Sequence, residues 1–243
     1  MILLYIIILI NLFILYKKNT SFESSGYTCG ANQKPPKVQI DYRGVGITKD
    51  RGFKGGQTVY LAFDGDVETS KYILEILKEF AFPYINLNFQ IGRYNDSTIT
   101  IKTNPNTSPT ATISGNTTGI GTKTPIITIY RLTQGVILHE FGHAMGMFHE
   151  HQNPAPNNPI QWNKDQVYAH YVTKQNWKKE AVDAQIINRR DKAKSLFTNW
   201  DQNSIMNYTI RPGFTAAPVQ TFIGQEYSEG DKNWFKMKFG PKV

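Results

Sequence analysis

The chain has 243 residues, 40% of them hydrophobic and 13% aromatic, which suits one large globular domain or two lobes around a packed core. Its formal net charge is +8, yet no basic run is interleaved with aromatic residues. The charge therefore reads as solvated surface that favours acidic substrates or anionic surfaces, and no nucleic-acid partner is expected. A single cysteine, Cys29, excludes an internal disulfide. Residues 1–16, MILLYIIILINLFILY, form an apolar run broken at Asn11. At about 15 residues the run suits a signal-peptide core better than a full membrane span, which needs about 20. Lys17 and Lys18 follow the run while no basic residue precedes it, and no small-x-small cleavage site follows. An uncleaved anchor is thus the alternative to a cleaved signal. Either reading makes the product secreted or membrane-anchored outside the cytoplasm, with membrane association through residues 1–16. Residues 17–36 are polar and end in Pro35-Pro36, as a linker or short pro-segment would.

From residue 37 the texture is that of a folded domain. Val38, Ile40 and Tyr42 alternate with polar residues as on a half-buried strand, and Thr58–Phe63 reads as a more apolar one. Asp66 is placed to cap a helix running to about Phe82, with Ile73, Leu74, Leu77 and Phe80 on its buried face and Pro83 ending it. Leu87–Ile91 and Thr98–Lys102 read as strands. Residues 103–125, rich in Thr, Asn, Gly and Pro, read as a loop with an edge strand. Ile126–Tyr130 is the last strand, and Thr133 caps the helix that follows.

That helix carries His139-Glu140-Phe141-Gly142-His143-Ala144-Met145-Gly146-Met147-Phe148-His149, an H-E-x-x-H-x-x-G-x-x-H pattern. Residues four apart share a helix face, so His139 and His143 point at one atom. Two imidazoles so placed suit zinc, which takes nitrogen ligands in a tetrahedral shell. His149 lies six residues past His143, about 600° of rotation, or some 120° off the metal face of a continuous helix. The helix must break first, and Gly146 sits where a left-handed residue would end it. His149 then returns as third ligand. Three protein ligands leave one position open for water, the mark of a catalytic zinc, one per chain. Glu140 flanks the metal face without being a ligand, placed to take a proton from water.

Beyond His149, Asn153–Pro159 is a proline-rich turn. Asn163 caps a helix running to about Lys174, with Gln166 three residues on. The charged segment 178–200 reads as a surface helix plus loop. His151 and His170 read as spare histidines, behind the ligands or at the surface. Ser204-Ile205-Met206-Asn207-Tyr208 then follows, with Met206 lying 57 residues after His149 (206 − 149).

The histidine stretch resembles the metzincin metallopeptidases. Within them it is most similar to the astacin family, because Glu150 directly follows the third histidine. Ser204–Tyr208 is similar to the astacin Met-turn, S-x-M-H-Y, with Asn207 where histidine is commoner. The resemblance implies that Met206 forms an apolar floor under the zinc and that Tyr208 is a fifth, displaceable ligand. It implies an α+β, two-lobed catalytic domain over residues 37–243. The upper lobe, about 37–150, would hold a twisted mixed β-sheet and two helices, one of them the zinc helix. The lower lobe, about 151–243, would be mostly irregular with one or two helices. The chain departs from the family after Glu150, where the usual arginine and aspartates are missing, and it lacks the disulfides of animal astacins, as bacterial and viral members do. Cys29 reads as a free thiol in a tail; the alternative is a thiolate that plugs the zinc before activation, as in another metzincin family.

The function implied is a zinc-dependent endopeptidase acting on polypeptide substrates. Zinc, Glu140 as general base and Tyr208 as oxyanion donor would carry the chemistry, and Arg211, just past the Met-turn, would shape the substrate pocket. Two other functions are open to the same residues. One is a zinc-binding adhesion or interaction module without turnover, against which the intact Glu140 speaks. The other is a zinc amidase on a non-protein substrate.

Overall fold

In a computed structural model, residues 48, 50–92, 98–103, 115–221 and 224–242 are described. The expected strand at 38–42, the apolar leader, the polar linker and Cys29 lie outside the described residues. Among those described, no helix is long and apolar enough to cross a membrane.

Five strands form one mixed sheet: β1 (Thr58–Asp64), β2 (Asn88–Ile91), β3 (Thr98–Thr103), β4 (Gly115–Thr118) and β5 (Ile126–Ile129). Their spatial order is β2-β1-β3-β5-β4. The first four in that order are parallel, and β4 alone runs antiparallel, pairing Gly115 with Ile129 and Thr118 with Ile126. Val59 and Leu61 of β1, Ile99 and Ile101 of β3, and Ile127 and Ile129 of β5 are all buried, the period-2 alternation of a sheet with one face on a core.

Two helices cover that face. Helix α1 (Val67–Phe80) is capped by the Asp66 carboxylate, which accepts from the Thr69 N–H. It buries Ile73, Ile76 and Leu77, while Leu74 and Phe80 are partly buried against the same core. Helix α2 (Gln134–Met145) buries nearly its whole circumference, including Ile137, Leu138, Phe141 and Ala144. A helix apolar almost all round belongs inside a core rather than on it.

One feature differs from expectation. Residues 229–239, which the sequence reading left unassigned, form a third helix on this core, α5 (Glu229–Phe239), started by a Ser228–Asp231 capping box. Its Trp234, Phe235 and Phe239 join Met145, Ile205 and Met206 in the sheet's own hydrophobic cluster. The charged segment 178–200 is a surface helix plus loop, as expected, with its charged residues mostly exposed and Ala181, Val182, Ile186 and Ile187 forming a buried side that the sequence reading did not single out. It winds as α4 (Lys179–Val182) into a π-helical turn, Asp183–Ile187. With α3 (Lys164–Tyr168), which Asn163 caps and which continues as a π-turn to Lys174, this segment builds a second cluster around Val167, Tyr171, Trp177, Tyr208 and Phe214.

Candidate metal centre

Helix α2 delivers the first two histidines and then stops. Gly146 takes φ 105° in the left-handed region. Its N–H reaches the His143 carbonyl (2.9 Å) and the Met147 N–H reaches the Gly142 carbonyl (2.9 Å), the paired bonds of a Schellman ending. The chain reverses there and brings His149 back. The candidate ligand nitrogens of His139, His143 and His149 lie within 4.8 Å of one another.

Hydrogen bonds behind the rings fix which nitrogen faces inward. His139 Nδ1 is 2.8 Å from the Ile205 carbonyl, and His143 Nδ1 is 2.7 Å from the Met147 carbonyl. A carbonyl can only accept, so each Nδ1 carries the proton and each Nε2 offers its lone pair. His139 Nε2 is buried without a hydrogen-bond partner among the described residues. His143 Nε2 and His149 Nε2 stand 3.1 Å apart. Zinc–nitrogen bonds of about 2.0–2.1 Å in a tetrahedral shell set ligand nitrogens about 3.3–3.4 Å apart, so this pair is already near the spacing zinc needs. Burial, then the neighbouring His139, pushes His143 down to about 3. Burial, then His143 and His139, pushes His149 well below its ordinary value. Both rings are neutral at physiological pH, the form that binds metal. Three imidazole lone pairs converging on one point fit zinc.

Glu140 is 1% exposed. Its carboxylate is gripped by the edge strand β4: Thr117 Oγ1 donates to Oε2 at 2.7 Å. A Cβ on Gly115 would stand 2.6 Å from Glu140 Cγ and 2.7 Å from Oε1, so only glycine admits this approach. Neither Gly115 nor Thr117 was singled out from the sequence; the one signal was the edge strand expected within 103–125.

The Met-turn lies under α2. Asp231, at the start of α5, accepts from Ser204 Oγ (2.6 Å) and the Ile205 N–H (2.9 Å). The Ile205 carbonyl, thus fixed, is the one that orients His139. Met206 is fully buried, and a Cβ on Gly142 would lie 2.8 Å from its sulfur. The Met206 carbonyl accepts from the Glu150 N–H at 2.9 Å. Glu150 also accepts from Asn153 Nδ2 (2.7 Å) and the Asp201 N–H (3.0 Å). Burial raises its carboxyl to about 8 against those bonds. Tyr208 is buried, its ring edge-on to His149 at 4.3 Å between centroids.

Of the remaining histidines, His151 is buried behind His149, and burial pushes it down to about 4. His170 sits beside Gln175, away from the ligand trio. Arg211 is exposed, and its charge acts on His170 and Tyr171.

The family model for Astacin, a peptidase family, matches residues 114–233, which span the edge strand, the zinc helix, the Met-turn and the start of α5. A solved structure of myroilysin is similar at 22% identity over 81% of this chain and 99% of that one, with a TM-score of 0.63. A hatching enzyme zinc-protease of the medaka fish Oryzias latipes, high choriolytic enzyme 1, is similar at 15% identity over 83% of this chain and 96% of that one, with a TM-score of 0.53. No curated protein sequence matches the chain. With its three histidines converging on one point and the family model spanning both motifs, the chain is an astacin-like zinc metallopeptidase.

Proposed function

We propose that the enzyme cleaves internal peptide bonds of an extended polypeptide, with Glu140 as general base and Tyr208 as oxyanion donor. Zinc, when bound to His139, His143 and His149, supplies a Lewis acid that polarises the scissile carbonyl and lowers the pKa of a water. Glu140 takes the proton of the attacking water and returns it to the leaving amine. The Tyr208 hydroxyl donates a hydrogen bond to the oxygen that becomes negative in the transition state. The antiparallel edge strand β4 receives the substrate backbone as an added strand, beside the carboxylate it grips. The apolar residues 1–16 support export or anchoring outside the cytoplasm.

The observation that carries this reading is the Glu140 carboxylate: buried, adjacent in sequence to a ligand, and anchored by the Thr117 hydroxyl from β4. Glu140→Gln keeps the shape and the Thr117 contact but cannot accept a proton. It should retain stoichiometric zinc while kcat falls by about 10²–10⁴, the size of a general-base contribution. Loss of zinc, or kcat within a few-fold of the parent, would contradict the assignment.

A further inference from the structure

We infer that His151 is a positioning residue that sets where the ring of Tyr208 stands relative to the ligand His149. The inference rests on Tyr208 being the oxyanion donor.

His151 lies two residues past the third ligand and is 1% exposed. Its ring is nearly parallel to that of His149, with centroids 5.6 Å apart and 16° between planes. It meets Tyr208 edge-on at 4.7 Å and 77°. Tyr208 in turn meets His149 edge-on at 4.3 Å and 87°. The three rings therefore touch pairwise, and His151 is the histidine of the triangle that is not among the metal ligands. Trp162 closes its outer side, edge-on at 5.9 Å.

Its polar contacts show that the imidazole is more than filler. The Nε2–H donates to the Gln185 carbonyl at 3.1 Å, and Nδ1 is buried with no hydrogen-bond partner among the described residues. An apolar ring of the same size would fill the space without stranding a nitrogen. What the imidazole adds is the tie to Gln185, in the π-turn Asp183–Ile187. Ile186 and Ile187 of that turn belong to the same hydrophobic cluster as Tyr208. The Asn158 amide fixes the backbone of His151 from the other side, donating to its carbonyl at 3.3 Å. His151 thus links the strap that carries the third ligand to the wall that carries Tyr208. A ring clamped between two aromatic neighbours keeps one rotamer, and an oxyanion donor must be held before the reaction rather than during it.

The test combines a structure of the zinc-free protein with a double-mutant cycle. In crystals of zinc-free His151→Ala, the Tyr208 ring should leave its 4.3 Å edge contact with His149. The same variant, loaded with zinc at parent stoichiometry, should lose about tenfold in kcat with KM within about twofold, the signature of a misplaced transition-state group. In a Tyr208→Phe background the substitution should change kcat by less than about twofold, because a donor already removed cannot be misplaced. His151→Phe keeps a ring in the triangle and should recover most of kcat, while losing the Gln185 tie lowers its melting temperature. If the alanine variant does not fold, Trp162→Leu, which removes the wall behind the imidazole, carries the same expectations. A Tyr208 ring unmoved in the zinc-free variant, or losses that add in the double variant, would overturn the proposal. Tyr208→Phe with parental kcat would instead contradict the donor reading, and the ring position would still decide the positioning claim.

Discussion

Gly142 shows how closely the centre is built. It fills one of the two unspecified places between His139 and His143, and a methyl group there would lie 2.8 Å from the Met206 sulfur. Met206 is fully buried and the Met147 sulfur would lie 3.4 Å from the same methyl, so the added group meets two sulfurs and the Met206 side chain cannot swing out into solvent. Gly142→Ala should therefore cost about 1–3 kcal/mol of overpacking strain, net of any helix-propensity gain, read as a lower urea midpoint. An unchanged midpoint would mean that Met206 repacks freely. Tyr208→Phe tests a different property. The ring contacts remain, so the fold and zinc content should hold, while kcat falls by about 10²–10³, the usual cost of one oxyanion donor. A kcat within about twofold of the parent would make the hydroxyl a bystander. At this scale the ligands were legible because their spacing is dictated by helix geometry, and Gly146 because only a left-handed residue turns the chain back. Gly115 and Thr117 were not, because their partner Glu140 lies 25 and 23 residues away (140 − 115 and 140 − 117) and nothing local marks the contact.

The element that ties the site to the core is α5, and its cap does two jobs. The Asp231 carboxylate accepts from the Ser228 N–H at its own helix start, and from Ser204 Oγ and the Ile205 N–H in the Met-turn. Asparagine at this position offers one acceptor oxygen in place of two and would aim an amide at a donor. Asp231→Asn should destabilise the protein by about 1–3 kcal/mol, the cost of buried groups left unsatisfied. It should also loosen the Ile205 carbonyl that orients His139, and so weaken zinc binding. Equal zinc affinity in the variant would separate the cap from the site. The sequence concealed α5 because its apolar residues are few, its surface is charged and Gly230 interrupts its first turn; the Ser228-x-x-Asp231 spacing was the available sign. The segment 178–200 is the expected surface helix plus loop, and its buried side escaped notice for a reason of period. Its buried residues Ala181 and Ile186, Val182 and Ile187 fall five apart, the repeat of a π-turn and not of an α-helix, so no amphipathic stripe appears at 3.6. The parallel strands and α1, by contrast, carry plain periodicity and an aspartate cap, and their bounds were legible to within two residues.

For the whole molecule, the sheet's core and the second cluster meet at the histidines. His139 and His143 hang from α2 in the first cluster, and Tyr208 stands against His149 from the second. Zinc held by the three histidines binds the folded chain, so it should stabilise the fold by mass action, by about 4 kcal/mol at a thousandfold excess over Kd. Melting temperature should rise with added zinc in the parent. It should stay flat in His139→Ala, His143→Ala and His149→Ala, each of which removes one of three ligands. A parent-like zinc shift in any of these would remove that residue from the centre. The central claim, that this centre hydrolyses polypeptides, is most directly tested by incubating the purified protein, with its zinc content measured, with denatured casein. We predict fragments from internal cleavage at one zinc per chain, no cleavage after chelation and recovery on adding zinc back. Intact casein in the presence of one bound zinc per chain, or cleavage that survives complete removal of the metal, would contradict it.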